Sequence, residues 1–285
     1  METFDFGDGN GAVPAHRHTN PDGALGGWVA DTATVAETVI ITSNAQVFGE
    51  AHLSGNVQVF NLAQVFDDAW LSGNACVFEN AQIYGKAQIS DNACVFGYAR
   101  IFDDAQVSGD VNISGIAQVF GKAKISGKAK IFDKVKISDY AQVNGNVLLY
   151  GNAEVFGSVQ VLDNARVSGE AQVYGSAKIF DNAQVYGHAE VYGNTRVFND
   201  AKVFKNSSVY ENAVICGNAR VFDSAEIFGD AQVLDNATVS GNAFVSGNAQ
   251  IFGNAQVSGE TKISGNTKLS EPDLPDCPAP SVLGW

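Results

Sequence analysis

The sequence predicts an all-β fold built from one strand-and-turn unit repeated along most of the chain. Three observations carry this. An aliphatic residue, at a place denoted i, recurs every six positions from Val29 to Leu269, through 41 hexads without insertion or deletion, and is always Val, Ile or Leu. At i−2 stands a small residue, nearly always Ala (Ala45, Ala63, Ala81), with a polar residue between the two. At i+2 stands Gly in 23 hexads, and mostly Asp, Asn or Glu in the others. Apolar-polar-apolar alternation is the strand period of two, with i−2 and i on one face. Gly, Asp and Asn tolerate positive φ, so i+2 is the turn.

The remaining places are as regular. Place i−1 is mostly Gln, Lys or Arg (Gln46, Lys124, Arg166, Arg220), and i+3 is often Asn. Place i+1 holds 21 of the 29 aromatic residues. Three segments follow: residues 1–26 without the hexad, residues 27–270 with it, and a tail, residues 271–285, that holds four of the six prolines.

Composition narrows the function classes. With 45% hydrophobic and 17% charged residues, disorder is not expected. The formal net charge is −14, from 31 acidic and 17 basic residues. That argues against nucleic acid or an anionic membrane as partner, since phosphate contacts need Lys and Arg. No basic start followed by an apolar run is present, so no secretory signal is expected, and no stretch reaches the roughly 18 apolar residues of a membrane span. The expected location is the cytoplasm; a virion or extracellular location reached by another route stays open.

The hexad pattern resembles the hexapeptide repeat of the left-handed parallel β-helix, in which an aliphatic residue and a small residue two places before it fill a triangular prism. Gly26-Gly27-Trp28-Val29 is similar to a segment of uncharacterised bacterial and phage hexapeptide proteins of acyltransferase-like kind. The resemblance implies a single left-handed β-helix with three hexads per coil, so about 13–14 coils with short irregular caps. At about 4.8 Å between stacked strands the rod is roughly 65 Å long. Hexapeptide proteins associate about the prism axis, so the resemblance implies a homo-oligomer, with a trimer favoured. The exposed ends of a solenoid need covers; Trp28 is expected to plug the first coil, joined by Leu25 and also by Phe4 and Phe6.

With 18 residues per coil, Phe48, Phe66, Tyr84, Phe102 and Phe120 fall in one column, Phe60, Phe78 and Phe96 in a second, and a run of serines in the third. Further along, around Tyr174 and Tyr192, all three columns are aromatic. These rings are expected to stack over the corners. They are also the expected lateral interface, since large contiguous apolar patches bind something; a sugar-stacking platform is a third reading. Six lysines from Lys122 to Lys136 form a belt around the prism, solvated or paired with acidic turns, with an anion or acidic-partner site as the alternative.

Residues that could carry chemistry are few. Hexapeptide acyltransferases use a His as general base near a subunit interface. Within the repeat only His52 and His188 are present, 136 residues and roughly 36 Å apart, so they cannot share a site in one chain. His16 and His18 could bind a metal, although a capping role is the stronger reading. Asp67-Asp68 and Asp103-Asp104 make a weak calcium motif. Cys76 and Cys94 stack one coil apart within disulfide reach, with free thiols expected in a reducing compartment. No cofactor is expected. The sequence therefore points to a structural or interaction rod, with an acyltransferase-like enzyme as the alternative and a carbohydrate-binding module as the second alternative; a glycan or a protein is the class of partner.

Overall fold

The computed structural model describes residues 2–270, and these residues form 43 strands and no helix. From β3 (Leu25–Ala30) onward one strand falls in each hexad, most of them only two residues long, such as Gln82–Ile83 and Arg100–Ile101. Each strand pairs in parallel with the strand three hexads away, so Ile83 faces Ile101 and Ile101 faces Val119. Three sheets of 16, 14 and 13 strands result. They are the faces of the triangular prism that the left-handed β-helix resemblance implies. The first face carries β3 and Gln46–Val47, the second Thr34–Val35 and His52–Leu53, and the third Ile40–Ile41 and Gln58–Val59.

Pleating decides what is inside. Residues at i and i−2 point inward: Val47, Ile83 and Val119, with Ala45, Ala81 and Ala117, have no exposed surface. The small residue at i−2 leaves room for the aliphatic side chain of the next face. Two exceptions, Thr195 and Ser207, are buried hydroxyls that keep the small size and bond locally: Ser207 Oγ donates to the Phe204 carbonyl at 2.9 Å, and Thr195 Oγ1 to the Tyr192 carbonyl. Among the described residues no buried side-chain polar atom lacks a partner.

The turns explain the acidic excess. From Asn61 to Asp235, where i+2 is not Gly, the residue still takes the left-handed conformation, as at Asp103 (φ 56°) and Asp133 (φ 62°). That conformation costs about 1–2 kcal/mol for a residue with a Cβ. The carboxylate offsets it by accepting a backbone N–H one coil on: Asp67 from Gly85 at 3.1 Å, Asp103 from Gly121 at 3.1 Å, Asp139 from Gly157 at 2.9 Å. The next turn is Gly in these cases. From Gly49 to Gly157 this corner alternates Gly and Asp, and at Gly85 an added Cβ would lie 2.8 Å from the Asp103 backbone nitrogen.

The N-terminal cap contains strands. Strands β1 (Thr3–Asp5) and β2 (Ala12–Thr19) pair antiparallel with each other, and β2 with β3, with a register shift between Arg17 and Thr19, extending the first face as a short meander. Trp28 is not a plug over the core. It pairs in register with Gln46 at i−1, so the pleat puts it outside, where it stacks on Phe4 at 4.7 Å with the Arg17 guanidinium over it. Leu25 covers nothing and is 71% exposed. The third face is closed instead by side chains standing where a previous coil would be. Asn20 accepts from the Ile41 N–H and donates to its carbonyl, and His18 Nε2 bonds the Val39 carbonyl at 2.8 Å. The tail expectations for residues 271–285 lie outside the described residues.

The Asp turns generate a prediction. Asp103→Ala keeps the backbone cost but loses the bond to Gly121, and is expected to destabilise by about 1–2 kcal/mol. Asp103→Gly loses the bond but also removes the backbone cost, and is expected to fall within about 0.5 kcal/mol of the parent. Thermal melts of the two variants check this ordering.

Candidate interaction surface

Two columns of side chains, i−1 and i+1, point outward on each face. On the first face the i+1 rings form a continuous ladder. Phe6 of the cap stacks on Phe48 at 4.7 Å, Phe48 on Phe66 at 4.8 Å with planes 1° apart, and the series continues through Tyr84 and Phe102 to Phe120. A second run goes from Phe156 through Tyr174, Tyr192 and Tyr210 to Phe228 at 4.7–5.0 Å. On the third face Phe78 stacks on Phe96 at 4.7 Å; Phe60, one coil before Phe78, is half-buried. Inside a run each ring is covered on both faces and shows solvent only its edge. Tyr174 and Tyr192 are such inner rungs, so a sugar stacking on either would have to displace a neighbouring ring.

The exposed apolar surface lies elsewhere. Leu62, Tyr98 and Ile116 are 58%, 63% and 47% exposed. All three sit at i+3, in the corner that leads from the third face to the first. Backbone bonds stack these turns: Leu62 N–H to Glu79 O, Asn80 to Gly97, Tyr98 to Gly115 and Ile116 to Asp133, all at 2.7–2.8 Å. With Asn80 between them, the three side chains form a strip over four coils, beside the Phe78–Phe96 stack. Sequence reasoning passed over this strip because i+3 reads as a polar turn. The signal was there: Leu, Tyr and Ile stand where Asn is usual. Trp70, 52% exposed, is on the second face with its ring stacked on His52 at 5.0 Å.

The remaining candidates are dispersed. His188, at the same corner but seven coils from Leu62, pairs through Nδ1 with Glu170 Oε2 at 3.1 Å and lines a shallow cavity of about 410 Å³ with Glu154, Gln172 and Glu190. His16 Nδ1 contacts Asp31 at 2.8 Å, whereas His18 is buried against Val39, so the two imidazoles are committed to different partners. Among the described residues no cluster of three His, Cys, Asp or Glu could hold a metal ion. Asp67 and Asp103 are occupied by the backbone bonds described above. Cys76 and Cys94 are cross-strand partners, as their spacing implies, and both are free thiols. Burial and the neighbouring Cys94 push the Cys76 thiol up to about 11.

Comparison with known proteins agrees with the architecture. A family model described as the YdcK beta solenoid repeat matches residues 87–101 and 231–247. A solved Arabidopsis UDP-N-acetylglucosamine acyltransferase is similar at 11% identity and a TM-score of 0.30, over 61% of this chain and 70% of that one, too distant to carry an argument. No curated protein matches the sequence. The chain is a hexapeptide-repeat β-solenoid.

Two measurements follow from the ladder environment. Burial, and then the Glu190 charge, push Tyr174 up to about 12; burial and then Glu226, whose carboxylate accepts the Tyr210 hydroxyl at 3.2 Å, do the same to Tyr210. The stability these protonated hydroxyls contribute is complete below the ordinary tyrosine value of 10.0 and is lost as pH rises toward about 12. Spectrophotometric titration is expected to show a late tyrosinate fraction that Tyr174→Phe and Tyr210→Phe remove; titration of every tyrosine near 10 would contradict it. Iodoacetamide at pH 8 is expected to alkylate Cys76 more slowly than an unfolded control, because little thiolate is present.

Proposed function

We propose that the protein is a structural and interaction rod that self-associates laterally along the corner bearing Leu62, Tyr98 and Ile116. The observation that carries this is the placement of three large apolar side chains, each roughly half exposed or more, on three of four successive levels of a straight edge, with Asn80 on the remaining level. Single exposed apolar residues are ordinary, whereas an aligned strip on a rigid support favours association. The ring edges of Phe78 and Phe96 border the strip and enlarge it. A trimer, with three such corners meeting, is the assembly we favour, in keeping with the resemblance to hexapeptide proteins.

The test is light scattering with sedimentation at several concentrations. The parent is expected to be a trimer, and the double substitution Tyr98→Glu, Ile116→Glu to give monomers with an unchanged circular dichroism spectrum. A parent that stays monomeric at high concentration would overturn the proposal.

One observation favours a second reading. His188 held by Glu170 at the edge of a cavity is the arrangement of a general base with an orienting carboxylate, as an acyltransferase-like site between subunits would need. His52 offers no comparable partner, since its ring is stacked on Trp70. Calorimetry with acetyl-CoA distinguishes the readings: the rod shows no heat of binding, and the enzyme shows saturable binding that His188→Ala abolishes.

A further inference from the structure

The first-face ladder has one missing rung between its two runs. Phe102 stacks on Phe120 at 4.9 Å, and Phe156 on Tyr174 at 5.0 Å, but the residue between Phe120 and Phe156 is Ser138. The strand register leaves no doubt about its level: Gln118 pairs with Lys136 and Lys136 with Glu154, one coil each. The inner faces of Phe120 and Phe156 are therefore about 9.6 Å apart, two steps of about 4.8 Å. A planar ring seated midway would lie about 4.8 Å from each, the spacing at which the protein's own rungs already stack, 4.7–5.0 Å.

Two other serines stand singly between aromatic rungs, and they differ. Ser168, between Tyr150 and Tyr186, is 7% exposed, so its neighbours close over it. Ser114 lies beside Ile116, in the apolar corner. Ser138 is half-exposed, with charged and aromatic groups around it. Lys136, at i−1 of the same strand, is bent toward the next coil by its ion pair with Glu154 at 2.9 Å. At the turn that follows, Tyr140 is 58% exposed, and the Lys122 ammonium lies 5.5 Å from its ring. The gap also falls at the level of the lysine belt, which gathers six of the 17 basic residues of an acidic chain between positions 122 and 136.

We propose that the gap over Ser138 is a binding slot for a planar aromatic anion, taken up between Phe120 and Phe156 with its negative group toward Lys122. Stacking on two preformed ring faces supplies the aromatic selectivity, and the ammonium supplies the preference for an anion. The slot is on the first face and its far corner, away from the Leu62–Ile116 strip, so it does not depend on self-association.

The probe is naphthalene-2-sulfonate, followed by its fluorescence on addition of the full chain. Saturable binding is expected. Ser138→Phe builds the missing rung and is expected to weaken binding at least tenfold while raising the melting temperature, which shows that the variant is folded. Ser138→Leu, which blocks the slot with a smaller side chain, is expected to weaken binding likewise. Lys122→Ala is expected to weaken it three- to tenfold with the slot intact. Absence of saturation with the parent, or unchanged affinity in both Ser138 variants, would overturn the proposal.

Discussion

The structure depends on one constraint: the neighbour of every residue along the rod axis is the residue 18 positions away, in register, at the spacing of hydrogen-bonded strands. Like therefore stacks on like, and each outward column must be compatible with itself. Phe48 on Phe66 is one solution. Gln64 donating its amide to Gln46 at 2.9 Å, and Gln82 to Gln64 at 2.8 Å, is another. Asn56, Asn74 and Asn92 do the same in a turn column, ending on the Asp110 carboxylate. An amide serves because it both donates and accepts, so a column can continue indefinitely. A carboxylate only accepts, which is why Asp at i+2 is answered by a backbone N–H rather than by another Asp.

The same constraint shapes the charges. A column of lysines would place ammonium groups about 4.8 Å apart. The belt avoids this because its six lysines span less than one coil, so no two share a column. Where charge meets charge along the axis the signs are opposite in Lys136 with Glu154 and Lys205 with Asp223, and alike in Lys178 with Arg196 and Lys202 with Arg220. The acidic excess of the chain accordingly sits mainly in turns.

The repeat itself was legible because it depends only on pleat and period. Val47, Ile83 and Val119 are core for reasons visible in any six residues, and the first-face ladder follows once three hexads make a coil. The apolar corner needed the same arithmetic applied at i+3, where the habit of reading turns as polar hid Leu62, Tyr98 and Ile116. The cap was not legible. The work of Asn20 is to imitate a peptide group for Ile41, and that of His18 is to reach Val39, partners about 21 residues away. No periodicity announces a side chain that replaces a strand. Trp28 was misjudged for a related reason: its size suggested a plug, but its place at i−1 puts it on the outer face.

The central claim is that coil-to-coil identity, and not the hexad alone, holds the rod together. Two deletions separate these. Removing residues 85–102 takes out one whole coil and keeps every later column on its own face. Removing residues 85–90 preserves the hexad and the core pattern but shifts all later columns by one face, setting aromatic, amide and acidic columns against the wrong neighbours at the seam. Thermal denaturation is expected to show the longer deletion melting close to the parent and the shorter one destabilised by about 2–4 kcal/mol, the worth of a few lost stacking pairs. Equal stability of the two deletions would contradict the account.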